Sequence, residues 1–187
     1  RLVTGSAGSL VMDALVLTVV LTSVPLILAA TGELISEKSG VLNLGVEGMM
    51  LMGAVAAFAV SSLSGNPYLG IISAALAGGV TAGLFAIFTL GLATNQVATG
   101  LALTIFGAGL SGLIGAPYVG STIEGLTVLA IPFLSELPVI GNLFFKLDPL
   151  AYFSILMLGF VGFFLNKTRA GLILRAVGNN HDSAHAL

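Results

Sequence analysis

Residues 69–93 read LGIISAALAGGVTAGLFAIFTLGLA. No charged side chain interrupts them, and the run is long enough to cross a bilayer, which takes about 20 apolar residues. Ala75, Gly79 and Gly83 recur every four residues, so on a helix they share one face and let a neighbouring backbone approach closely. On either side of this run, charged residues punctuate the chain and leave further apolar stretches at Leu10–Ala30, Gly48–Leu63, Val97–Ala116 and Leu150–Leu165. Gly53 with Ala57, and Ala108 with Gly112, repeat the small-residue spacing. The fold class that follows is all-α: a polytopic transmembrane helical bundle of about five spans.

Composition points the same way. The chain has 187 residues, of which 7% are charged and 57% hydrophobic, with 25 glycines in addition. A soluble domain carries roughly 25% charged residues. So little polar surface excludes a soluble enzyme and a disordered chain. A net charge of −2 with six basic residues leaves no footprint for nucleic acid. The absence of Cys excludes disulfide and thiolate chemistry, and the absence of Trp, with three Tyr, makes a weak interfacial belt. The length is that of a single membrane-spanning domain, 1–187. Because it opens on Arg1 and closes on Leu187 inside a helical pattern, a fragment of a longer chain is expected. No signal peptide is evident.

Lys167, Arg169 and Arg175 form the densest basic cluster. The positive-inside rule puts it in the cytoplasm, with Lys38 and Thr94–Gln96 on the same side and Ser64–Tyr68 and Pro117–Pro149 outside. Val128–Leu134 and Leu137–Phe145 in the long outer segment are broken by Pro132, Pro138 and Gly141. Turns and half-helices suit them, either as a lid or as a docking surface.

Three polar segments are candidate sites. Thr31–Met50 reads TGELISEKSGVLNLGVEGMM, with Glu33, Glu37, Lys38 and Glu47 among Gly40, Gly45 and Gly48. Asn43 and Glu47 are four apart and would share a face of a helix. A helix broken at Gly40–Gly45 and restarting near Gly45 would aim its amides at a cavity. An ordinary cytoplasmic loop, with Glu47 favoured by the next helix's dipole, accounts for the same residues. Asn95, Gln96 and Thr99 either cap the fourth span or face a path. Residues 167–187 read as two short cytoplasmic helices, with Gly178 a left-handed C-cap of the first and Asn180 capping the second. This pair is either a membrane-surface anchor or a knob for a partner protein.

Enzymatic motifs are missing. His181 and His185 lack a third ligand, so neither a metal nor a cofactor is expected. No His lies in a span to serve as a base, and no phosphate-binding GxxxxGK[ST] loop occurs, so no catalytic residue is assigned.

GELISEKSGVLNLGVEGMMLMGA (32–54), ATNQVATGLAL (93–103) and TRAGLILRAVGNN (168–180) together resemble bacterial ABC-transporter inner-membrane permeases of the branched-chain amino acid, simple sugar and nucleoside type. The Asn-Leu-Gly-Val-Glu-Gly core is most similar to the nucleoside and simple-sugar members. His181 stands where that family often has Pro, and the family continues through further spans, so the chain resembles roughly the N-terminal half of a permease.

The resemblance implies a non-enzymatic permease subunit of an importer in the cytoplasmic membrane, carrying a small polar solute. Its partners would be a separate ABC ATPase subunit, a second permease subunit in a homo- or heterodimer, an external substrate-binding protein and membrane lipid. Asn43, Gly45, Glu47, Gly48, Asn95, Gln96 and Thr99 become translocation-path candidates. Thr168, Arg169, Gly171, Leu172, Leu174, Arg175, Ala176, Gly178 and Asn179 become the ATPase-coupling candidates. A branched-chain amino acid permease of the same family, a secondary transporter and a structural membrane subunit are the alternatives.

Overall fold

A computed structural model describes residues 2–130 and 146–180. Helix α1 runs Leu2–Lys38, α2 Val46–Ser64, α3 Pro67–Ala86 and α4 Gln96–Gly115. A π-helical segment, Ile87–Gly91, ends α3, and a 3-10 turn, Ala116–Tyr118, follows α4. Strands β1 (Leu129–Ala130) and β2 (Lys146–Leu147) pair antiparallel, with Leu129 opposite Leu147. Helix α5 spans Pro149–Lys167 and α6 Arg169–Asn179.

Five helices among the described residues are long and apolar enough to cross a membrane: Ala14–Lys38, Val46–Ser64, Pro67–Gly91, Gln96–Tyr118 and Pro149–Lys167. The first therefore extends eight residues beyond the expected Ala30 end, and takes Glu33, Glu37 and Lys38 into the helix. The expected second cytoplasmic helix and the apolar outer stretches after Ala130 lie outside the described residues.

Local chemistry sets the helix ends. Gly65, in the left-handed region at φ 67°, closes α2 by donating its N–H to the Ser61 carbonyl. Pro67 opens α3, and the Asn66 side chain accepts from Tyr68 N–H at 2.9 Å. Asp148 and Pro149 start α5 the same way, with the Asp148 carboxylate accepting from Ala151 N–H at 2.7 Å. Inside the spans, hydroxyls return their hydrogen bonds to the preceding turn, as Thr81 does to Ala77 and Thr89 to Phe85. Lipid offers them no other partner.

The chain forms two compact units, residues 1–32 with 126–168, and residues 33–125 with 169–187. In the first, Val24, Leu147 and Ala151 are buried and Leu17, Val20, Leu28, Leu150 and Tyr152 pack around them. The Tyr152 hydroxyl accepts from Leu147 N–H at 3.3 Å and donates to the Leu129 carbonyl at 3.4 Å, tying α5 to the strand pair.

In the second unit α2 packs between α3 and α4. Small and hydroxyl residues are buried there, among them Gly48, Gly53, Ser61, Gly70, Thr81, Gly100 and Gly107. Large apolar side chains point outward instead: Ile105 is 75% exposed and Leu113 73%. A lipid solvent gives this inverted distribution, because close backbone approach and not apolar burial holds such helices together.

Apart from Gly53, close approach falls on different glycines from those the four-residue stripes single out. A Cβ at Gly48 would lie 2.5 Å from the Leu103 carbonyl oxygen, and one at Gly107 2.6 Å from Gly48 Cα. A Cβ at Gly79, Gly83 or Gly112 would meet nothing within 4 Å among the described residues. Among the described residues the Gly79–Gly83 face is therefore open, while Gly53 does meet Ala74, as its stripe requires.

Candidate functional site: the break between the first two spans

Helix α1 ends in a Schellman turn. Gly40 is left-handed at φ 87°, Gly40 N–H donates to the Glu37 carbonyl and Val41 N–H to that of Ser36, each at 3.0 Å. A side chain at φ 87° is strained, so glycine is required here. Residues 41–45 are then non-helical until Val46 opens α2.

Side chains from other segments satisfy this irregular backbone. Leu42 N–H donates to Gln96 Oε1 at 2.8 Å. Asn43 N–H donates to Glu33 Oε1 at 3.1 Å. The Leu44 carbonyl accepts from the Thr104 hydroxyl at 2.9 Å. Gly45 N–H donates to Asn43 Oδ1 at 3.0 Å, an Asx turn that leads the chain into α2. Helix α4 can lie this close because Gly100 has no side chain: a Cβ there would sit 2.9 Å from the backbone nitrogens of Leu44 and Gly45. Glu33 Oε2 is buried without a hydrogen-bond partner among the described residues.

The path candidates thus separate into groups. Asn43, Gly45, Gly48 and Gln96 come together where α2 begins against α4. Asn43 does not share a helical face with Glu47, because it lies on the non-helical stretch, where its amide is engaged by Gly45 N–H and the Met49 sulfur. Glu47 is exposed in the first turn of α2. Asn95 caps α4 by accepting from Ala98 N–H at 3.0 Å. Thr99 pairs with the Thr94 hydroxyl at 2.9 Å and lines an apolar cavity of about 470 Å³ between α3 and α4, with Phe85, Phe88 and Phe106.

Gly100 and Thr104 escape the sequence reading, while Glu33 and Leu42 fall inside the candidate segment Thr31–Met50 without a role of their own. Glu33 is visible as a carboxyl beside the break. Nothing in the sequence signals that Gly100 and Thr104 face it.

Of the coupling candidates, Thr168 ends α5, its N–H and hydroxyl both donating to the Phe164 carbonyl. The others lie on α6. Gly178 is not a left-handed cap, since α6 continues through it to Asn179. The left-handed glycine stands at Gly40 instead, and the two glycines touch. A Cβ at Gly178 would collide with the Lys38 carbonyl oxygen and lie 2.9 Å from Gly40 N. Leu172 and Ile173 are exposed at 52% and 53%, as are Arg169 and Asn179. Leu174, Arg175 and Ala176 are half-buried, and Gly171 is buried.

Residues 15–187 match the family described as branched-chain amino acid transport system / permease component. Curated relatives include a putative glucose ABC transporter permease, TsgC13, of Haloferax volcanii, 39% identical over 87% of this chain and 50% of its own length. The nucleoside ABC transporter permease NupC of Lactococcus lactis is 31% identical over 94% of the chain and 59% of its own. The guanosine ABC transporter permease NupQ of Bacillus subtilis is 32% identical over 87% and 55%. No solved structure matches. The chain spans about half the length of the curated relatives it matches. A match over nearly all of these residues, together with five apolar helices, makes the chain a member of the branched-chain-type permease family of ABC importers and a multi-pass protein of the cytoplasmic membrane.

Proposed function

We propose that this chain is part of the transmembrane permease subunit of an ATP-binding-cassette importer, and that the solute it carries is a nucleoside or simple sugar. The relatives' names, glucose, nucleoside and guanosine permeases, support this cargo over the branched-chain amino acids of the family description. ATP hydrolysis falls to a separate ATPase subunit. An external binding protein delivers the solute, and a second permease copy or homologue completes the path.

The observation that carries this reading is the contact of α6 with the turn that begins the break. Helix α6 exposes Leu172 and Ile173, an apolar pair suited to a groove in a partner protein. Arg175 supplies a charged hydrogen-bond donor beside them. On its other side α6 meets the Lys38–Gly40 turn. Residues 42–45 follow at once, and their polar backbone is of the kind that membrane proteins place at solute paths. Asn43, Gly45, Gly48 and Gln96 shape that path, with Glu47, Asn95 and Thr99 at its margins. Residues 168–179 take up the movement of the ATPase, with Leu172, Ile173 and Arg175 at the contact and Gly178 turned toward the Lys38–Gly40 turn.

The test is uptake by the full-length permease reconstituted with its ATPase and binding protein. ATP-dependent uptake of labelled guanosine, uridine or glucose is expected. Uptake of leucine alone would overturn the cargo, and uptake without ATP would overturn the importer. Leu172→Asp with Ile173→Asp should abolish co-purification of the ATPase while the permease stays in the membrane. Retained ATPase binding would reject α6 as the docking helix.

A further inference from the structure

Gly178 of α6 crosses over the Lys38–Gly40 turn. The crossing is a backbone-to-backbone contact. A Cβ at Gly178 would meet Lys38 O, Gly40 N and Ser39 C, and a Cβ at Gly40 would meet Gly178 Cα at 3.2 Å. The nearest atoms on each side are backbone, which gives less readily than the far end of a flexible side chain.

The turn itself is closed by its own hydrogen bonds. Ser39, Gly40 and Val41 all donate backwards into the last turn of α1. The next two residues are held as firmly, Leu42 by Gln96 and Asn43 by Glu33. From Gly178 to Gln96 there is therefore a continuous run of short contacts: helix α6, the Schellman turn, then the hydrogen-bonded break against α4. Close-packed elements of this kind pass a displacement on rather than dissipating it.

We propose that Gly178 and Gly40 form a rigid joint, through which α6 and the break between the first two spans move as one body during transport. Gly178 is then a positioning residue for the path and not a contact for the ATPase. The inference rests on the reading of α6 as the ATPase-docking helix. Docking is read by ATPase binding, however, and the joint by uptake at unchanged binding.

The experiment uses the full-length permease assembled with its ATPase. Gly178→Ala raises the intrinsic helix preference of α6. Any loss it causes therefore does not come from melting the helix. It forces the two backbones apart, and overpacking of this sort weakens a fit by about tenfold or more. The variant should bind the ATPase and hydrolyse ATP as the wild type does, while uptake falls about tenfold or more. Undiminished uptake would overturn the joint.

Should Gly178→Ala fail to assemble, a second measurement decides. Ser39→Cys and Val177→Cys, bridged by a short bifunctional thiol reagent, link α6 to the turn with both glycines intact. A rigid joint predicts uptake equal to that of the same pair left unbridged. Loss of uptake on bridging would mean that the two segments slide past each other, and would overturn the proposal.

Discussion

Glu33 Oε1 accepts a hydrogen bond from the Asn43 backbone N–H at 3.1 Å, closing the break between the first two spans from the α1 side. Its other oxygen is buried and has no partner among the described residues. The first oxygen satisfies a backbone donor where water is scarce, and the second makes a full charge costly. Glu33→Gln keeps the acceptor and removes the acid. Glu33→Ala leaves Asn43 N–H unsatisfied, which costs about 1–3 kcal/mol. Thermal unfolding of the full-length protein in lipid nanodiscs should place Glu33→Gln at or above the wild type and Glu33→Ala below it. Equal losses in both would assign the role to the carboxylate charge instead.

The α2–α4 crossing makes a sharper division among glycines. Gly48→Ala and Gly107→Ala drive a methyl group into the facing backbone, with gaps of 2.5 and 2.6 Å. Neither backbone can yield without parting the helices, so each should cost about 1–3 kcal/mol or more. Gly79→Ala and Gly83→Ala meet nothing among the described residues and gain helix propensity. Membrane-inserted yield and midpoint of unfolding should fall for the first pair and hold or rise for the second. A fall for Gly79→Ala only in the assembled transporter would place the second permease copy on that face.

Gln96 isolates the contribution of α4 to the break. Its side chain reaches Leu42 N–H at 2.8 Å, whereas its neighbour Asn95 only caps its own helix. Gln96→Leu should cut uptake with little effect on helix content, and Gln96→Glu, which retains an acceptor, should recover part of it. Asn95→Ala should lose about 1 kcal/mol of stability through the missing cap and leave transport nearly unchanged. A larger transport loss for Asn95→Ala than for Gln96→Leu would reverse these roles.

The spans were legible because an uncharged apolar run of sufficient length has essentially one fate in lipid. The second to fifth apolar runs end within a few residues of the observed spans, and only the C-terminal end of the first falls well short, at Ala30 against Lys38. There Glu33, Glu37 and Lys38 read as loop, yet α1 continues to Lys38 because the cost of a carboxyl depends on its partners, and Asn43 supplies one for Glu33. The break was legible from Gly40 and Gly45. Which residues close it was not, because Gln96 and Thr104 stand 54 and 60 positions away from Leu42 and Leu44. The same limit explains Gly178: a glycine near the end of a short helix resembles a cap until the segment it crosses is known.

The second unit gives the membrane orientation a geometric basis. Gly178 meets the turn after Lys38, and Gln96 meets Leu42, so the ends of α1, α6 and the start of α4 lie together. Phe58, late in α2, stacks edge-on against Tyr118 after α4 at 5.8 Å between ring centres, which sets the opposite ends together. Lys38, Arg169 and Arg175 all fall at the first end, where the positive-inside rule puts the cytoplasm. Single cysteines report the side directly, since the chain has none of its own. Gly120 is a poor position, because its φ of 83° disfavours any side chain. Exposed Ser121, beside it, and exposed Asn179 serve instead. In intact cells a membrane-impermeant maleimide should label Ser121→Cys and leave Asn179→Cys unmodified until the membrane is opened. Labelling of Asn179→Cys alone would invert the topology, and would remove α6 from the reach of any cytoplasmic ATPase.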